Sequence, residues 1–213
     1  NENYLNIWGI IFGDRFGQWN DYRNNSNMGG YLLEIPAVDL SRGLVAYYPF
    51  NGNANDESGN GNDGTVNGAT LAVDRNGESG KAYNFDGGDT VKISGDLDFS
   101  GDFVVSAWFR FTGDLGSIDY ATIFGNNYHH PGMGISLYKK NSQHQLHISL
   151  HITGNEGAYF NHDLSDSIIK EWNSVTFIRN DLQGLVYLNG VLVDTINIPT
   201  GDYTDNDENI IGN

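Results

Sequence analysis

The sequence predicts an all-β protein built as a two-sheet antiparallel sandwich, and three observations carry that reading. Apolar and polar residues alternate with a period of two along much of the chain, while helical periodicity is hard to find. Clusters of Gly, Asp and Asn bound each alternating run, as turns require. The 28 glycines suit the tight turns and bulges that many short strands need.

Taken in chain order, the strands read are residues 43–50 (GLVAYYPF), 81–86 (KAYNFD), 89–94 (DTVKIS) and 103–111 (FVVSAWFRF). Then come 121–125 (ATIFG), 133–138 (MGISLY) and 145–152 (QLHISLHI), followed by 174–179 (SVTFIR), 185–190 (LVYLNG) and 191–198 (VLVDTINI). The last two flank Asn189-Gly190, the strongest short hairpin signal, because both residues tolerate the positive φ of a type I′ turn. Hydrophobic content is 38%, with 12 Tyr, 11 Phe and 4 Trp, which is aromatic area enough to seed a core. No apolar run approaches the ~20 residues of a membrane span, no signal peptide opens the chain, and no internal repeat is visible. Opening at Asn1, the chain reads as a fragment of a larger protein.

Charge narrows the partners. With 27 acidic against 11 basic residues the net charge is −16, which disfavours nucleic acid and anionic membrane surfaces, both of which need clustered Lys and Arg. The balance fits a cation binder, a protein kept soluble in salt, or simply an acidic surface. Cysteine is absent, so disulfides, thiolate zinc sites and cysteine nucleophiles are excluded. The stretch Pro36–Arg42 separates a Trp-, Asn- and Gly-rich block from the strand-rich region. The division expected is therefore residues 1–36, a linker at 37–42, and one domain over 43–213.

Residues 50–64 (FNGNANDESGNGNDG) contain almost nothing to bury. Asp56, Ser58, Asn60, Gly61 and Asn62 match the first half of an EF-hand loop, but Asn67 stands where the bidentate Glu belongs, and no helices flank it. Residues 58–66 (SGNGNDGTV) look like one nonapeptide of a calcium β-roll, which needs stacked copies. A broader pattern covers more of the chain. Residues 43–70, 80–94 (GKAYNFDGGDTVKIS) and 103–111, then TIFGN, WNSVTFIR, VYLNGVLV and NIIGN in order, resemble the laminin-G-like, concanavalin A-like jelly roll. That resemblance implies a structural calcium ligated by Asp56, with Asn51 and Asp63 as further candidates, against the alternative of a metal-free Asx-turn network. Relatives continue past the NIIGN strand to one more strand, so the resemblance also implies completion by later residues or by strand exchange with a neighbouring chain.

Residues 17–35 (GQWNDYRNNSNMGGYLLEI) resemble the closing segment of a C-type lectin domain. The match implies Glu2, Asn20 and Asp21 as calcium ligands; Tyr4, Asn24 and Leu33 stand near that family's cysteines. The residues alone leave open that Trp8, Trp19 and Tyr31 simply form the core of a small sheet.

Five of the six histidines fall in NYHHPGMG (127–134) and QHQLHISLHI (143–152). Alternation along the second stretch places His147, Ser149 and His151 on one face and Ile148, Leu150 and Ile152 on the other, toward the core. The polar face reads as an ordinary strand surface, a zinc site lacking an evident carboxylate, or a carbohydrate platform. The last reading, which follows the jelly-roll resemblance, adds Tyr128, His130, Tyr138 and Tyr159 as ring surfaces for sugars. No strand carries the alternating acids of a glycosidase, and neither a G-x-S-x-G elbow nor an H-E-x-x-H motif occurs. The expectation is a non-enzymatic, calcium-stabilised carbohydrate or surface-ligand binding module of a larger extracellular bacterial protein, an adhesin or an accessory module of a polysaccharide-acting enzyme. The alternative is a structural subunit or spacer of a cell-surface assembly, completed by strand exchange.

Overall fold

A computed structural model describes residues 43–95, 97–112, 120–125, 132–140, 143–151, 157–201 and 209–212, together with the backbone of two N-terminal strands. The chain divides into two compact units, Asn1–Asp39 and Leu40–Asn213. In the first, β1 (Leu5–Trp8) pairs antiparallel with β2 (Gln18–Asp21), setting Ile7 opposite Trp19.

Among its described residues the second unit is all-β apart from one helical turn. Its strands are β3 (Gly64–Asn67), β4 (Thr70–Val73), β5 (Ser79–Asn84), β6 (Thr90–Ile93), β7 (Phe103–Phe109) and β8 (Tyr120–Gly125), followed by β9 (Gly132–Lys140), β10 (Gln143–His151) and β11 (Gly157–Leu164). After the turn α1 (Asp166–Ile169) come β12 (Asn173–Asn180), β13 (Gln183–Leu188), β14 (Val191–Asn197) and β15 (Ile210–Ile211). They form a seven-stranded sheet, β11-β10-β9-β8-β15-β6-β3, and a four-stranded sheet, β14-β13-β12-β7, with β4 and β5 as a separate hairpin. Every pairing is antiparallel.

The two sheets enclose one core. Met133, Ile135, Leu146, Ile148 and Leu150 from the seven-stranded sheet meet Val175, Phe177 and Val186 from the four-stranded one, all fully buried. Close approach at Gly184 makes that packing possible: a Cβ there would stand 2.7 Å from the Phe177 ring, so only glycine fits. Ser165 caps α1, accepting from the Ile168 amide, and the turn drops Ile169 into the core. Asn189 and Gly190 both have positive φ (52° and 77°), as the hairpin signal between β13 and β14 requires.

One strand reading is corrected. Residues 43–50 have strand-like alternation but belong to no ladder. Their backbone groups are engaged by the next loop instead: the Tyr47 amide donates to Asp56, the Glu57 amide donates to the Tyr47 carbonyl, and Asn60 donates to the Leu44 and Val45 carbonyls. Val45 (55%) and Tyr47 (50%) consequently stay exposed. Strands β1, β2, β3, β4 and β11 and the α1 turn are additions to the sequence reading.

Candidate functional site

Two regions named by the sequence have a built geometry. The first is the polar loop around Asp56. Its Oδ1 accepts from the amides of Tyr47 and Ser58, both at 2.9 Å, and its Oδ2 accepts from Ser58 Oγ at 2.8 Å and the Asn62 amide at 3.0 Å. Burial alone would raise this carboxyl, but the bonds from Ser58, Tyr47 and Asn62 together hold it below its ordinary value. Asp63 Oδ1 accepts from the Asp56 amide, and Asn51 bridges Glu57 and Lys81. The Tyr48 hydroxyl donates to the Asn62 carbonyl; burial and, secondarily, Asp56 and Asp63 push its pKa up. A carboxylate offers about four acceptor positions, and Asp56 gives all four to protein donors. A calcium here would have to take Asp56 from donors it already serves, and as arranged the loop does not fit the ion. Among the described residues no three His, Asp or Glu side chains converge on a metal position.

The second region is the outer face of the seven-stranded sheet, opposite the core. Strand pairing sets it out in rows. Tyr138 lies opposite Tyr120 and Gln145, with Asp163 beyond; Ser136 lies opposite Thr122 and His147, with Asn161 beyond; Ser149 lies between Gly134 and Tyr159. The rings make a continuous strip across four strands. Tyr120 stacks on Tyr138 at 5.2 Å, Tyr138 meets His147 edge-on at 5.6 Å, His147 lies 6.1 Å from Tyr159, and Tyr159 lies 5.0 Å from His151.

Hydrogen bonds fix the orientation of the imidazoles. His147 Nδ1–H donates to Asn161 Oδ1 at 2.8 Å, and Tyr159 Oη pairs with His151 Nδ1 at 3.2 Å. Burial lowers the His147 pKa, partly opposed by the Asn161 bond, so the ring is neutral near pH 7. With Nδ1 donating, Nε2 is left as an acceptor. Ser136 Oγ and Gln145 Oε1 are closed to solvent without a hydrogen-bond partner, while Gln145 Nε2 donates to Asp163. Buried polar atoms are rarely left unpaired, so these two are exceptions within the sheet, and the polar groups the face can offer a partner are the Tyr hydroxyls and His147 Nε2. Flat rings beside neutral donors and acceptors suit a partner with apolar faces and a hydroxyl-rich edge.

The structure therefore brings Tyr138, His147, His151 and Tyr159 together on one face. Tyr128, His130 and Glu2 lie outside the described residues, as do the side chains of Asn20 and Asp21 on β2. Asp56, Asn51 and Asp63 share the other region. Sequence reading missed Tyr120, Ser136 and Asn161. The alternation of Ala158, Phe160 and Leu164 with Tyr159, Asn161 and Asp163 was the available signal for β11 and hence for Asn161.

Comparison with known proteins places this architecture. Among curated proteins none matches the chain. Among solved structures, Domain 4 of AbnA, a GH43 extracellular arabinanase from Geobacillus stearothermophilus in complex with arabinotriose, is 18% identical with a TM-score of 0.59. That match covers 78% of this chain and 82% of the other. The Botulinum neurotoxin serotype D binding domain is 20% identical at a TM-score of 0.56, over 73% of this chain. Of that binding domain's own length the match spans 39%. At such identities the likeness is one of fold. Residues 85–213, more than half of the sequence, match the family model Laminin_G_3, described as the Concanavalin A-like lectin/glucanases superfamily, and the chain belongs to that family.

Proposed function

We propose that this chain is a carbohydrate-binding module of a larger extracellular bacterial protein, serving as an adhesin or as the accessory module of a polysaccharide-acting enzyme. The observation that carries the reading is the outer-face strip Tyr120–Tyr138–His147–Tyr159–His151. Rings stack on the apolar faces of sugars, and neutral polar groups bond their hydroxyls. The arabinotriose complex of a structural relative supports the same assignment. Binding is favoured over hydrolysis because Asp163 is the one carboxylate on the described strand residues of this face and it is engaged by Gln145; glycoside hydrolysis needs a pair. Among the described residues no helix is long and apolar enough to cross a membrane.

Residues 1–36 enter the proposal as the tail of a C-type-lectin-like domain, with Glu2, Asn20 and Asp21 as candidate calcium ligands. The antiparallel β1–β2 pair, which carries Asn20 and Asp21 on its second strand, supports that part. The test of the whole is a glycan array probed with the wild-type chain and with Tyr159→Ala. Signals on defined saccharides that fall in the variant are expected; silence on every glycan would sink the reading.

A second reading, a structural subunit completed by strand exchange, draws on one observation. Strand β7 is an edge of the four-stranded sheet with Val104 exposed, and residues 43–50 expose Val45 and Tyr47 outside any ladder. Unpaired strand edges accept further strands. Concentration-dependent oligomers by sedimentation, combined with a silent array, would favour it.

A further inference from the structure

We infer that the outer face of the four-stranded sheet docks a short acidic segment of a partner polypeptide, whose carboxylates meet Arg75 and Arg110 and whose apolar side chains sit on Val104, Trp108 and Leu192. This face belongs to the other sheet and is independent of the ring strip. Strand register sets it out. Trp108 lies opposite Ser174; Ser106, Thr176, Tyr187 and Leu192 form the next row; Val104, Ile178, Leu185 and Thr195 form the third. The intervening residues Val105, Ala107, Val175, Phe177 and Val186 pack into the core, so the three rows look outward. Val104 is 62% exposed, Trp108 50% and Leu192 49%. The chain has 27 acidic residues, yet no Asp or Glu is paired into these rows.

Two arginines stand at one end of the face. The Arg75 guanidinium lies over the Trp108 ring, 4.6 Å from its centroid, and that of Arg110 lies over Trp172 at 5.2 Å. Arg75 comes from the turn joining β4 to β5, and Asp74 fixes that turn. Its Oδ1 accepts from the Asn76 and Glu78 amides at 2.9 and 2.8 Å, its Oδ2 from Asn76 Nδ2 at 3.1 Å, and its own amide donates to the Glu78 carbonyl. The neighbouring carboxylate is thus engaged by the turn, and neither guanidinium is in an ion pair with a described residue. A guanidinium held flat on an indole keeps its N–H edge for bidentate bonding to a carboxylate, and it loses little freedom when it binds.

Size and charge decide the occupant. Four strands and three rows at ordinary spacing cover roughly 14 Å by 14 Å, well short of the ~800 Å² per partner that stable pairs of folded proteins bury. A second copy of the chain would also bring one net charge of −16 against another. A segment of a few residues, with Asp or Glu beside Leu, Ile or Phe, matches the area, the apolar rows and the unpaired cations. Trp and Arg are the residues on which such contacts most often depend.

The experiment is selection of short random peptides displayed on phage against the wild-type chain, followed by fluorescence anisotropy of the enriched peptides. Enriched sequences should carry Asp or Glu next to apolar residues. Arg75→Ala and Arg110→Ala should each weaken their binding about tenfold, and Leu192→Ser should weaken it by less. Arg110→Lys, which keeps the charge without the planar fork, should restore only part of the loss. Melting temperatures of these variants should not move, and their glycan-array signals should equal those of the wild type, so the saccharide reading stands or falls separately. Failure to enrich any sequence, enrichment of peptides without acids, or affinities indifferent to both arginines would overturn the inference. So would oligogalacturonate binding lost in Arg75→Ala, which would assign the cations to an acidic saccharide. Self-association seen by sedimentation and lost in the same variant would overturn it too, by giving the face to a second copy.

Discussion

The Asp56 loop and the outer face of β8–β11 are both polar, yet they are held together by opposite means. In the loop a single carboxylate gathers four donors drawn from Tyr47, Ser58 and Asn62, and the backbone folds around that charge. On the sheet the backbone is already fixed by its ladder. There His147 is 8% exposed and His151 7% exposed, covered by rings rather than drawn together by a charge. The first region uses its hydrogen bonds to exist, whereas the second is supported from beneath by Ile148 and Leu150 and carries half-exposed rings such as Tyr159 on its surface. Polarity that folds a loop is fully engaged; rings carried on a rigid platform, as Tyr120 and Tyr159 are, remain exposed to meet something else.

The comparison can be broken most forcefully at Asp56. Replacing it with alanine should destabilise the chain by about 1.5–3 kcal/mol, the usual worth of hydrogen bonds to a charged group, seen as a melting temperature several degrees lower. Saccharide affinity of the folded protein should not change. Next comes Tyr159→Ala, with the inverse signature: affinity should fall about tenfold, on the order of 1.4 kcal/mol, with little change in melting temperature because the ring is 49% exposed.

A smaller effect follows pH. His147 has a folded-state pKa below its ordinary 6.5 because burial disfavours the charged ring. The unfolded chain therefore takes up this proton first. The stabilising contribution is complete above pH 6.5 and declines as pH falls through the lower folded value. Binding should weaken in the same window as Nε2 loses its acceptor lone pair, and His147→Gln should flatten that part of the pH profile of affinity. The smallest expected effect is that of a chelator. With Asp56 served by protein donors, EDTA should leave the melting temperature of residues 40–213 where it was; a drop of several degrees would show that calcium replaces those donors.

Much of the fold was legible because alternation and turn chemistry are local. Nine of the ten strands read from the sequence have a counterpart, and Ile148 and Leu150 point where their spacing put them. Residues 43–50 show the limit: GLVAYYPF alternates like any strand, but whether it pairs depends on a partner, and its amides and carbonyls went to Asp56, Glu57 and Asn60. The site was half legible. Tyr138, His147, His151 and Tyr159 could be placed on the outer face by counting residues along strands. That Tyr120 stacks on Tyr138, or that Asn161 fixes the His147 tautomer, depends on cross-strand register, which loop geometry sets and composition does not.

The central claim is that the ring strip on the outer face is where a saccharide sits, and imidazole chemical shifts observed by NMR during a saccharide titration test it most directly. On addition of an oligosaccharide shown by calorimetry to bind, the His147 and His151 ring resonances should move to saturation with the calorimetric affinity, while those of His144, whose Nδ1 is bonded to Asp166 away from this face, stay in place. Saturated binding with His147 and His151 unmoved would contradict the account.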